Sequence, residues 1–108
     1  MDIQYLFGTA KINDREKGYI EQKITKVERL LGREKPEEVK ASVEIDQDKH
    51  LFWRISVSVV TPKKVFRVSK KDSDLLQAMD VAEEALMKQI RRKNEKIRDV
   101  IRGRKRKG

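Results

Sequence analysis

Eleven basic residues crowd the stretch from Lys88 onward: Lys88, Arg91, Arg92, Lys93, Lys96, Arg98, Arg102, Arg104, Lys105, Arg106 and Lys107. Only Glu95 and Asp99 oppose them, so this segment holds the whole +9 net charge of the 108-residue chain. The other 87 residues carry equal numbers of basic and acidic groups. Ammonium and guanidinium groups at this density are suited to neutralising phosphates. The ligand class they fit is a polyanion, either nucleic acid or an anionic membrane.

The spacing of their neighbours places these cations on a helix. Leu75, Met79, Ala82, Leu86, Ile90, Ile97 and Ile101 recur at helical intervals. They predict a helix from Asp74 to about Arg102, with Ser73 as N-cap, Asp72 and Asp74 beside its positive end, and Gly103 as its stop. Lys88, Arg91, Arg92, Lys96, Arg98 and Arg102 fall opposite the apolar stripe. A merely solvated face would balance its charges; six cations against two anions do not. No Trp or Phe accompanies the stripe, which disfavours a membrane surface.

A second helix is predicted over Asp14–Leu31. Asn13 and Glu16 have capping-box spacing, Ile20, Ile24, Val27 and Leu31 form one apolar face, and Gly32 follows. Arg15, Lys26, Arg29 and Arg33 share one flank, with Lys23 nearer the core edge. Glu21 and Glu28 lie on the other flank. If the two helices lie side by side, their basic flanks merge into one surface for phosphate contacts.

Other chemistry finds little support. The chain has no cysteine, which removes disulfides, thiolate metal sites and thiol nucleophiles. The single histidine, His50, sits in a polar loop without a partner cluster. The five glycines are scattered and form no phosphate loop. The expectation is a protein that is no enzyme and needs no cofactor, metal or small-molecule substrate. Among the aromatics, Tyr5, Phe7 and Trp53 are in phase with core residues, whereas Phe52 is out of phase. Phe52 is therefore the one candidate for stacking on a base.

These helices need a sheet to rest on. Ile3, Tyr5 and Phe7 alternate with polar positions up to Gly8. Ala41, Val43 and Ile45 mark a second strand, Trp53, Ile55, Val57 and Val59 a third, and Val65–Val68 a short fourth. Glu34–Glu38 reads as a loop, Asp46–His50 as a polar connector and Thr61–Lys64 as a turn. Short links make the last three strands an antiparallel meander. The order is β-α-β-β-β-α, an α+β two-layer sandwich: a four-stranded sheet with both helices packed on one face. Gln4, Ser42, Glu44, Arg54, Ser56 and Ser58 line the open face. The reading is one domain over residues 1–102, with a radius of gyration near ~13 Å, and a basic disordered tail over 103–108. No apolar run approaches the roughly 18 residues of a membrane span, and no signal-peptide core is visible, so the expected compartment is the cytoplasm.

Two stretches carry a family resemblance. They are Ile12-Asn13-Asp14 with Tyr19–Arg29, and Asp74–Asp80 with Leu86–Lys93. Together with the element order, they resemble the ribosome hibernation-promoting factor / ribosome-associated inhibitor A family, also called ribosomal subunit interface proteins, in its short form or as the N-terminal domain of a long form. The resemblance implies a fold related to double-stranded-RNA-binding domains. It implies binding to the small ribosomal subunit, through ribosomal RNA, near the decoding region, blocking messenger and transfer RNA. The expected state in solution is a monomer. By position the resemblance carries an RNA-binding role to Lys23, Lys26 and Arg29, and to Lys88, Arg91, Arg92 and Lys93; Lys96 joins them from the helical pattern. The sequence departs from the family at Leu76, where an aromatic is common, and at Pro62-Lys63-Lys64, where glycine is common. The alternatives are a free-standing double-stranded-RNA module of the same fold, or an adaptor docking an acidic protein.

Overall fold

The computed structural model describes residues 1–8, 10–32 and 34–101, with the side chains of residues 94–101 outside that description. Arg33 and the segment expected to form a basic tail, 103–108, lie outside the described residues. The elements are β1 (Asp2–Phe7), α1 (Asp14–Arg29), a 3-10 turn (Pro36–Glu38), β2 (Lys40–Gln47), β3 (Trp53–Val60), β4 (Val65–Asp72) and α2 (Leu75–Ile101). The sheet order is β1-β2-β3-β4. β2, β3 and β4 form the expected antiparallel meander. β1 pairs parallel to β2, with Ile3 opposite Ala41 and Tyr5 opposite Val43. A parallel neighbour requires a crossover connection, and α1 supplies it.

The alternation of each strand decides what lies under the helices. Val43, Ile45, Ile55, Val57, Val59 and Phe66 point to one face and are buried there. Ile20, Ile24 and Val27 of α1 cover that face together with Leu75, Met79, Leu86 and Ile90 of α2. Burying each such side chain contributes about 1.5–3 kcal/mol, which holds the helices to the sheet. The open face carries the expected polar residues, and the Ser56 and Ser69 hydroxyls bond across β3 and β4 at 3.0 Å.

The helix ends differ in quality. Asn13 Oδ1 accepts the Glu16 N–H at 2.8 Å, and Glu16 Oε1 accepts the Asn13 N–H at 3.0 Å, a complete capping box. Asn13→Ala should therefore cost about 0.5–2 kcal/mol of stability in chemical denaturation, and Asn13→Ser should recover most of it. An unchanged midpoint in the alanine variant would show that the cap contributes nothing. α1 stops two residues earlier than its apolar spacing suggests. Leu30 and Leu31 donate to Val27 O and Glu28 O, so the last turn tightens into i→i+3 bonds.

Three further expectations need correction. β4 is eight residues long, not four. Its polar half, Ser69–Asp72, looks like loop in sequence, but it pairs with Ser56, Ile55, Arg54 and Trp53. α2 begins at Leu75, which makes Asp74 and not Ser73 the residue before the helix; the Asp72 carboxylate accepts the Asp74 N–H at 3.0 Å. Phe7 is on the core face yet 44% exposed, because β1 is an edge strand; its ring stacks on Tyr5 with centroids 6.2 Å apart.

The shape is longer than a compact domain of this size. The radius of gyration is 15.7 Å, with extents of 51 × 31 × 18 Å. The cause is α2. Its 27 residues span about 40 Å at 1.5 Å per residue, against about 26 Å for an eight-residue strand. Gln89 Nε2 donates to Arg67 O at 2.9 Å, two residues from the start of β4. The helix then runs on from Ile90 to Ile101, about 18 Å by the same rise, with almost no strand left beneath it.

Candidate nucleic-acid interface

The helices lie side by side and run in the same direction. The Tyr19 hydroxyl donates to Asp80 Oδ1 at 2.6 Å. Lys23 Nζ sits 3.3 Å from Asp80 Oδ1 and 3.5 Å from Glu83 Oε1. One turn along α1 thus matches about one turn along α2. The basic flank of α1 is the flank turned toward α2, so the two helices can present one charged surface.

The network fixes the charge state of this seam. Burial works against the Lys23 ammonium, but the Asp80 hydrogen bond and the charges of Glu83 and Asp80 outweigh it and raise its pKa above the usual lysine value. The Tyr19 hydroxyl is raised too, first by its hydrogen bond to Asp80 and then by burial. Lys23 is therefore a fixed cation at neutral pH. Its side chain is 19% exposed, and its charge is spent on two carboxylates of the neighbouring helix.

The remaining candidates divide by height along the helix pair. Lys26 and Arg29 are exposed in the last turns of α1. Lys88, Arg91 and Arg92 are exposed on α2, opposite the buried Leu86 and Ile90. Continuing the register of Tyr19–Asp80 and Lys23–Glu83 brings Arg91 level with the C-terminal end of α1. Cations are favoured there by the helix dipole. Lys93 is half-buried: it comes seven residues after Leu86, two turns on, and so returns to the apolar side. Lys96 lies within α2, its side chain outside the described residues.

A contrast runs along α2. From Leu75 to Met87 it carries Asp80, Glu83 and Glu84 and no cation. From Lys88 to Lys93 it carries four cations and no carboxylate. The cationic half is the half that leaves the sheet.

Sequence reasoning missed part of this end of the molecule. Lys63 and Lys64 are exposed in the β3–β4 turn, and Arg67 is exposed two residues into β4. The Gln89–Arg67 bond, made to the Arg67 backbone, puts the turn at the same end of the molecule as the cationic half of α2; the Arg67 side chain, opposite Ser58, projects to the open face. The turn is well defined: Thr61 is buried, its hydroxyl donates to Lys64 O and accepts the Lys64 N–H, both at 3.0 Å. The signal was topological. In a β-β-α unit the helix runs back toward the preceding hairpin turn, so that turn and the later part of the helix share one end.

Residues 6–98 match the family described as Sigma 54 modulation protein / S30EA ribosomal protein. The chain belongs to that family. It is thus a ribosome-associated, non-catalytic protein of the hibernation and interface class. The Protein Y N-terminal domain of Thermus thermophilus superposes with a TM-score of 0.72 at 27% identity, covering 85% of this chain and 98% of that one. A ribosomal subunit interface protein from Coxiella burnetii gives a TM-score of 0.70 at 18% identity, covering 88% and 99%, and supports the fold. No curated protein is significantly similar in sequence. Among the described residues, no group of His, Cys, Asp or Glu is placed to hold a metal ion, and no helix is long and apolar enough to cross a membrane.

Proposed function

We propose that this protein binds the small ribosomal subunit as a monomer in the cytoplasm, near the decoding region, and inhibits translation by occupying the path of messenger and transfer RNA. The observation that carries the reading is the cationic half of α2. Lys88, Arg91 and Arg92 stand exposed without an intervening carboxylate, level with or beyond Lys26 and Arg29 of α1. Such a surface meets phosphates without reading sequence, which suits a folded ribosomal RNA. Lys23 serves it indirectly, by holding α1 against α2 through Asp80 and Glu83. The family's ribosomal association supports the partner. The element order supports reading the fold as related to double-stranded-RNA-binding domains. However, the first half of α2 is acidic, which argues against a helix N-terminus gripping phosphates.

Blocking needs bulk, not chemistry. A body 51 Å long and 18 Å thin is shaped to fill a channel. A titration in cell-free translation tests this. Inhibition should saturate at one protein per ribosome, be relieved by excess initiator transfer RNA and messenger, and leave ribosomal RNA intact. Inhibition far below one protein per ribosome, or cleaved RNA, would reject occupancy.

A further inference from the structure

The β2–β3 loop lies at the other end of the sheet from the cationic surface, about 26 Å away along β3. It holds Leu51 and Phe52 out to solvent, 68% and 43% exposed. Leu51 does so at φ 68°, a left-handed conformation that a bulky residue adopts only when its surroundings impose it. Asp48 imposes it. Its Oδ1 accepts the N–H groups of His50 at 2.9 Å and Phe52 at 3.0 Å, and its own N–H donates to Phe52 O at 2.9 Å. Asp48 Oδ2 pairs with Lys71 Nζ at 3.1 Å, and that ammonium lies 5.6 Å from the centre of the Phe52 ring. The hydrogen bond from Phe52 N–H and the nearby Lys71 hold the Asp48 carboxyl below its usual pKa, so it is ionised at neutral pH. The ring is thus held outward by a fixed, charged frame.

Beside the ring is a cavity of about 230 Å³ lined by Asp46, Gln47, Asp48, Phe52, Arg54 and Lys71. It is smaller than the ~300–1,000 Å³ pockets that take drug-sized ligands. Its two carboxylates balance its two cations, so it offers little net attraction to a bare phosphate. An aliphatic protein side chain would bury its polar groups for one apolar contact. A nucleobase matches both features, with a flat face for Phe52 and polar edge acceptors for the Arg54 guanidinium and the Lys71 ammonium that line the same cavity.

We infer that the cavity beside Phe52 is a stacking site for one unpaired nucleobase of RNA. The inference rests on the reading that the chain binds ribosomal RNA, and adds a second point of attachment. The cationic end contacts phosphates, and the Phe52 end takes a base, so the domain bridges two RNA elements a strand length apart.

Two measurements test it. The first titrates the whole protein with pentauridylate, pentacytidylate and pentaadenylate, following its NMR resonances. Saturable shifts should appear at Phe52, Arg54 and Lys71, and inorganic phosphate should not reproduce them. Phe52→Ala should abolish the shifts and Phe52→Trp should keep them. Shifts given equally by phosphate, or unchanged in Phe52→Ala, would overturn the site. The second measures affinity for the small subunit. Phe52→Ala should weaken it about 5- to 100-fold and Phe52→Trp should restore it. Normal binding by Phe52→Ala overturns the inference while leaving the ribosomal reading intact. Failure of the unaltered protein to bind the subunit sinks the ribosomal reading instead, and the oligonucleotide titration still decides the site.

Discussion

Lys88→Glu combined with Arg92→Glu should abolish co-sedimentation with the small subunit while leaving the fold intact. Both side chains are exposed, on the far side of α2 from Leu86 and Ile90. Exposed changes of this kind usually alter stability by no more than about 0.5 kcal/mol. Each reversal removes one cation and adds one anion on a stretch that has no carboxylate of its own between Lys88 and Lys93. Binding to a polyanion draws its free energy from released counterions, with a log-log salt slope of about −0.7 to −0.9 per neutralised phosphate. Losing two contacts should therefore flatten the slope by about one unit each, on top of the repulsion from two new anions. Sedimentation across a salt series gives the slope, and circular dichroism checks the fold. Normal binding by the folded double variant would show that this face of α2 is not the contact. Lys23→Met is the informative companion. It should reduce stability by removing the cation that faces the largely buried Glu83 and leaving Asp80 with its Tyr19 bond alone, but leave the salt slope unchanged, because the Lys23 charge is already paired.

Lys23 also shows where sequence reading reached its limit. Helical periodicity placed it at the edge of the α1 apolar face, and the structure agrees. Periodicity could not show that Asp80, 57 positions on, would stand opposite. That contact depends on the relative height of two helices, which the strands and loops between them set. The same boundary separates the other readings. The amphipathic faces of α1 and α2 and the alternation in β2 and β3 repeat locally, so the two-layer sandwich was legible. The second half of β4 was not, because Ser69–Asp72 is polar on both faces and is held extended by its partner strand. Nor was the position of Lys63 and Lys64 at the same end as the cationic half of α2, which follows from chain direction and not from composition. Phe52 is the opposite case. Its phase, out of step with Trp53, Ile55 and Val57, already marked it as exposed.

Ile90→Ala should lower stability by roughly 2–5 kcal/mol, the cost of a cavity where a large apolar side chain is removed. Ile90 is 1% exposed and is the last core residue of α2 among those whose side chains are described. Beside it Gln89 ties the helix to the β4 edge, and beyond it the helix leaves the sheet. The residue therefore clamps the base of the cationic extension. In a domain of this size a loss of 1 kcal/mol lowers the melting temperature by about 4–8 °C, so a drop of about 10 °C or more is expected. Every exposed cation survives the change, so binding at low temperature should stay close to normal. A partner that binds only the folded form stabilises it, so on the proposed function the subunit should also raise the variant's melting temperature. This is the reverse of the charge-reversal pattern, in which the fold persists and binding goes. Melting like the unaltered protein would mean that α2 is anchored without Ile90. Loss of binding at a temperature where the variant is still folded would mean that the clamp sets the angle of the cationic helix as well as its stability.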